Sequence, residues 1–198
     1  MLYKGTAHNI VSKHIKGNKM RNSVPRIFIL FDLTQLYFTS RRIDLLIDYK
    51  ELLDEIKFML DIEGLPELSK AVGFTTALES NKPQQNFIKR LEQAGYEVIH
   101  YPPPNGPKDG YLSEMLAYAL ANEAEEVILV TNVEAAANAQ KLIKESGKEC
   151  TVVYFGEDVP SSWAQLILKR TLDFVDLSDK ATKDRIRLPE VAKVEEVA

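Results

Sequence analysis

Short runs of consecutive apolar residues alternate along this chain with stretches in which apolar positions recur every three or four residues. The first kind is expected of strands buried on both faces, the second of helices with one buried stripe. Arg26-Ile-Phe-Ile-Leu-Phe31, bounded by Pro25, predicts a central strand that runs out at Asp32. Asp48-Tyr-Lys-Glu51 is a capping box, and Leu52, Leu53, Ile56, Met59 and Leu60 follow at helical spacing, so a helix is expected from Tyr49 to Asp61. Ala71 to Ala77 reads as the second strand; Asn81 and Pro83 open a helix that ends at Gly95; Tyr96 to Tyr101 is the third strand, halted by Pro102, Pro103 and Pro104. His100 falls on that strand and is expected to be packed.

Beyond the proline-bounded loop, Leu112, Met115, Leu116, Ala119 and Leu120 predict a buried helical stripe, with Tyr111, Glu114 and Tyr118 on the other face. Glu126 to Thr131 is the fourth strand, Val133 to Glu145 an alanine-rich helix closed by Gly147, and Cys150 to Phe155 the fifth strand. A short helix from Ser161 to Arg170 and a short strand from Leu172 to Leu177 complete the series. Strands alternating with helices in this way call for right-handed crossovers, hence a three-layer α/β/α sandwich around a mainly parallel sheet of five or six strands. No glycine-rich turn follows any strand, which argues against a dinucleotide or P-loop site.

Composition narrows the setting. A chain of 198 residues, 45% hydrophobic and 27% charged, suits one α/β domain with tails. The absence of a long apolar run and of a signal-peptide pattern leads to the expectation of a cytoplasmic protein with no membrane partner. A single cysteine, Cys150, excludes an internal disulfide and reads as core. Charge is uneven: residues 1–26 carry six Lys and Arg and no acid, so the net −4 divides into +6 there and −10 on the rest. Residues 1–24 therefore read as a basic arm, in which Lys13, Lys16, Lys19 and Arg21 suit phosphate contacts or simple solvation. Residues 25–178 form the body, and residues 179–198, in which the charges balance, form a tail with the option of a frayed helix.

Asp32 is the first candidate for chemistry, because ligands of open α/β sheets bind at the carboxyl ends of central strands. It equally suits a helix N-cap. Tyr37, Arg41 and Arg42 lie just beyond it; rings beside arginines suit single-stranded nucleic acid, and the same residues suit a helix that buries Leu36 and Tyr37 and leaves both arginines in water.

The Asp-ended first strand, the helix capped by Asp48, Gly95-Tyr-Glu-Val and the following Lys-bearing loop and helix together resemble the NYN branch of the PIN-like nuclease superfamily, over Arg26 to Leu177. That resemblance implies carboxylates gathered at the carboxyl edge of the sheet around Mg2+ or Mn2+, with hard oxygen ligands for RNA cleavage. Asp32 matches the family's first Asp, but Gln35 stands where Asn is expected. Lys108-Asp-Gly110-Tyr-Leu112 matches its Lys-Gly helix start with one residue inserted and no acid following, and its second acidic position falls near Tyr118. In Thr131-Asn-Val-Glu-Ala-Ala136 the hydroxyl is kept as Thr131, while the two Asp positions are Val133 and Ala135. The implied function is thus an RNA-associated NYN/PIN-like domain with a degenerate site and no cofactor, binding RNA or a ribonucleoprotein assembly through the arm and through Tyr37, Arg41, Arg42, Lys108 and Tyr118. One alternative is a Mg2+- or Mn2+-dependent endoribonuclease in which Asp32, weakly placed as a metal ligand, is completed by Glu114 and Glu134. Another is a structural subunit of a larger particle docked through its tails. Self-association into a homo-oligomer is compatible with each.

Overall fold

The computed structural model describes residues 27–62, 69–76, 82–101 and 110–189. The basic arm, the loop with Lys108 and residues 190–198 lie outside the described residues.

The first strand, β1 (Ile27–Asp32), is buried along its whole length. Its alternate side chains enter two separate cores, Ile27, Ile29 and Phe31 on one face and Phe28 and Leu30 on the other. A strand covered on both faces has no polar side to show, which is why it reads as a continuous apolar run. Each of these side chains contributes about 2 kcal/mol by leaving water.

The chain continues through α1 (Leu33–Arg42), α2 (Tyr49–Met59), β2 (Ser69–Thr76), α3 (Lys82–Gln93), β3 (Tyr96–Tyr101), α4 (Leu112–Ala121) and β4 (Glu126–Val130). The described residues end with α5 (Ala136–Glu145), β5 (Glu149–Tyr154), a single 3-10 turn (Gly156–Asp158), α6 (Trp163–Leu168), β6 (Phe174–Asp176) and α7 (Lys180–Arg185). All six strands are parallel, in the order β3-β2-β1-β4-β5-β6. The chain lays down strands outward from β1 on one side, then returns to its other side with β4. The C-terminal ends of β1 and β4 therefore flank the point where the winding reverses, the usual ligand crevice of such sheets. One core layer takes Leu36, Leu52, Leu53, Ile56 and Leu91 from α1, α2 and α3; the opposite layer takes Met115, Ala119, Ala139, Ile143 and Trp163 from α4, α5 and α6. The expected three-layer α/β/α sandwich is the observed architecture.

Local expectations hold at most element ends. Asp48 caps α2, its Oδ1 accepting from the backbone N–H groups of Lys50 at 3.0 Å and Glu51 at 3.2 Å. The reciprocal half of the capping box is replaced, because the Asp48 N–H donates to the Ile186 carbonyl at 2.8 Å. Cys150 is buried core, its thiol pushed up to about 12 by loss of water.

Four expectations are corrected. His100 is exposed: it lies near the carboxyl end of β3, which is an edge strand. Tyr111 is buried and Leu120 exposed, the reverse of the expected faces of α4; Tyr111 precedes the helix, and its side chain turns in toward Thr76 and Tyr101 at the ends of β2 and β3. Tyr37 is 52% exposed, against the reading that packs its ring. The segment from residue 179, expected as a tail, begins with α7 packed on the body: Ile186 is buried, Arg185 pairs with the buried Glu55, and Ile47 bridges Arg187.

Candidate functional site

Asp32 ends β1 with its carboxylate wholly buried, at 0% exposure. Oδ1 accepts the N–H of Gln35 at 3.0 Å, so Asp32 is the N-cap of α1. Oδ2 accepts the N–H of Tyr111 at 2.9 Å, 79 residues further along the chain. One side chain thus fastens together the end of the central strand, the start of α1 and the approach to α4. Burial pushes its carboxyl up to about 6; the N–H groups of Tyr111, Gln35 and Thr34 pull the other way, and the charge of Glu114 adds to the rise.

The close approach of α4 depends on Gly110, whose φ is +50°. A Cβ there would lie 2.1 Å from Asp32 Oδ2 and 2.9 Å from Val133 Cγ2, inside any permissible contact. Tyr111 is secured again by its hydroxyl, 2.6 Å from Thr76 Oγ1 at the end of β2. Thr131, the hydroxyl residue after β4, is buried, and its Oγ1 accepts the N–H of Val133 at 3.3 Å.

The acids expected to join Asp32 are not assembled around it. Glu114 is half-buried on the first turn of α4 and is felt by Asp32 through its charge. Glu134 is exposed, and its backbone carbonyl accepts the Trp163 indole N–H at 3.2 Å. Among the described residues no group of three or more His, Cys, Asp or Glu is placed to hold a metal ion. Mg2+ and Mn2+ need several oxygen ligands, and the described residues gather no such set around the buried Asp32, so they do not fit either ion.

A second polar cluster lies on the same carboxyl edge, centred on Asp158. Its carboxylate accepts Arg42 Nε at 2.7 Å and Arg42 Nη2 at 2.6 Å, and also Asn132 Nδ2 at 3.1 Å. Thr39 Oγ1 donates to Asp158 as well and lies 2.7 Å from the Tyr154 hydroxyl. The signal for Asp158 in the sequence is an acid just past the fifth strand, in Phe155-Gly-Glu-Asp158; its partners lie up to 119 residues away, so spacing alone could not join them. Arg42 is therefore one arm of an ion pair, whereas both expectations for it leave it unpaired.

On the outer face of α1, Tyr37 and Phe38 are 52% and 39% exposed, with ring centroids 5.6 Å apart. The guanidinium carbon of Arg41 stands 5.5 Å from the centre of the Tyr37 ring. Tyr118 is not part of this surface: its ring packs with Phe28 and Phe74, and its hydroxyl accepts Lys70 Nζ at 3.1 Å. Lys13, Lys16, Lys19, Arg21 and Lys108 lie outside the described residues. A shallow depression of about 360 Å³ is lined by Glu51, Asp54, Glu55, Phe58 and Arg185, none of them a residue of the carboxyl edge.

No known protein family matches the chain, and no curated protein is similar to it in sequence. The fold is similar to that of a crystal structure of a protein of unknown function from Vibrio parahaemolyticus. The TM-score is 0.60 at 19% identity, covering 81% of this chain and 98% of that one. The likeness extends to the architecture alone. No helix among the described residues is long and apolar enough to cross a membrane.

Proposed function

We propose that this chain is a PIN-like domain of the cytoplasm that holds RNA, alone or within an RNA-protein assembly, without cutting it. The observation that carries the reading is the exposed Tyr37-Phe38 pair with Arg41 against the Tyr37 ring, on the helix that springs from the carboxyl end of the central strand. Exposed rings are costly to leave in water, and they offer bases a stacking surface with a cation beside it. The six positive charges of residues 1–26 would add affinity without sequence preference, through released counterions. The absence of cleavage in this proposal rests on the acids, which among the described residues do not gather into a set that could hold a metal ion beside Asp32.

The test is fluorescence anisotropy with a short single-stranded RNA. Tyr37→Ala is expected to weaken binding about tenfold, the lower end of the stacking energy of one base. Arg41→Ala is expected to weaken it less and to reduce the salt slope by about one. Equal affinity and slope for wild type and both variants would remove this surface from the reading.

A further inference from the structure

Arg42 presents the planar fork with which guanidinium groups grip carboxylate or phosphate, and its occupant is a carboxylate of the same chain. Asp158 Oδ2 alone faces three donors, Arg42 Nη2, Asn132 Nδ2 and Thr39 Oγ1. A carboxylate oxygen has about two lone-pair sites, so these donors exceed what it accommodates well, whereas a phosphate monoester spreads up to two negative charges over three terminal oxygens. The cluster follows β4 and β5 at the carboxyl edge, and the Arg42 side chain is 48% exposed, so a ligand has an open approach.

We propose that Arg42, Asn132 and Thr39 form a binding site for a phosphate monoester, the terminal phosphate of an RNA strand, which Asp158 occupies while the protein is free. The RNA part of this inference rests on the function proposed above; the phosphate part does not. Arg42 follows Tyr37 on α1 by about 7.5 Å of axial rise and about 140° of turn, so the site lies close to the stacking rings along the helix but around it from them. Only the Asp158 side chain has to leave. The turn that bears it is tied down by other bonds: the Gly156 N–H donates to Asp176 Oδ1 at 2.7 Å, the Glu157 N–H to Ser178 Oγ at 3.2 Å, and Lys183 Nζ reaches Glu157 at 2.5 Å.

The experiment titrates the full chain with inorganic phosphate, and with one RNA bearing either a 5′-phosphate or a 5′-hydroxyl. It compares wild type, Asp158→Ala, and Asp158→Ala with Arg42→Gln. Removing the carboxylate is expected to raise phosphate affinity about tenfold, the worth of a freed charged hydrogen-bond donor set, and Arg42→Gln is expected to abolish the gain. Where Asp158→Ala does not fold, Asp158→Asn takes its place, and phosphate is expected to raise the melting temperature of wild type but not of Arg42→Gln. A gain for phosphate and for 5′-phosphorylated RNA supports the whole inference. A gain for phosphate alone supports the site and overturns the RNA occupant. No gain in a folded Asp158 variant, a gain that survives Arg42→Gln, or an equal melting response in wild type and Arg42→Gln overturns the site.

Discussion

Replacing Gly110 by alanine tests the junction at Asp32 through a single methyl group. Gly110 has φ +50°, so alanine there is strained by roughly 1–2 kcal/mol before any contact is considered. The new Cβ would meet Asp32 Oδ2 at 2.1 Å and Val133 Cγ2 at 2.9 Å. Relief requires the segment before α4 to move out, which breaks the bond from the Tyr111 N–H to Asp32. Leaving that buried carboxylate oxygen without its donor costs roughly a further 1.5–3 kcal/mol. The expected loss is about 2.5–5 kcal/mol, a large share of the usual 5–15 kcal/mol of a domain. Gly95 at φ +94° and Gly147 at φ +87° are the controls: both are left-handed, and nothing lies within 4 Å of the place a methyl group would take, so alanine there should cost only the backbone strain, roughly 1–2 kcal/mol. Equilibrium urea unfolding at neutral pH reads all three. Equal losses at the three positions would refute the close approach of Gly110 to Asp32.

The remaining predictions concern titration and one ion pair. Because the Asp32 carboxyl is raised from 3.8 to about 6, the folded state holds its proton more tightly than the unfolded chain does. Its contribution is fully present below pH 3.8 and is lost as pH rises through about 6, a change of about 3 kcal/mol at 1.36 kcal/mol per tenfold. Urea unfolding of wild type and Asp32→Asn across pH 4 to 7 should therefore show wild type losing about that much relative to the variant as pH rises; parallel curves would contradict it. Arg185→Ala leaves the buried Glu55 carboxylate, among the described residues, with the Thr182 hydroxyl at 3.2 Å, and should cost about 2 kcal/mol, moderated by the exposure of the arginine. Glu55→Gln, which removes the charge, should cost less, and an unchanged midpoint for Arg185→Ala would show that α7 is not held by this pair.

The sheet was legible because its strands are covered on both faces, so apolar runs such as Ile27 to Phe31 needed no knowledge of their neighbours. The start of α2 was legible because Asp48 bonds residues two and three positions away. The site was legible only as a location. Asp32 is where the central strand ends, but its role is decided by Tyr111, and that of Arg42 by Asp158, contacts that span 79 and 116 residues. Nothing in local periodicity reports such pairings. The position of Tyr111 was misassigned for a related reason: Tyr111 precedes the helix, so extending helical periodicity back to it turned the ring outward, while contacts with Thr76 and Tyr101 hold it in.

The most direct test of Asp32 as a clamp for the fold is a calorimetric titration with Mn2+ of wild type and Asp32→Asn. A wholly buried carboxylate that caps α1, with no further acids gathered beside it among the described residues, predicts no saturable micromolar binding that depends on Asp32, and the same heats for both proteins. Micromolar binding in wild type that vanishes in Asp32→Asn would contradict this, and would make the carboxyl edge a metal site.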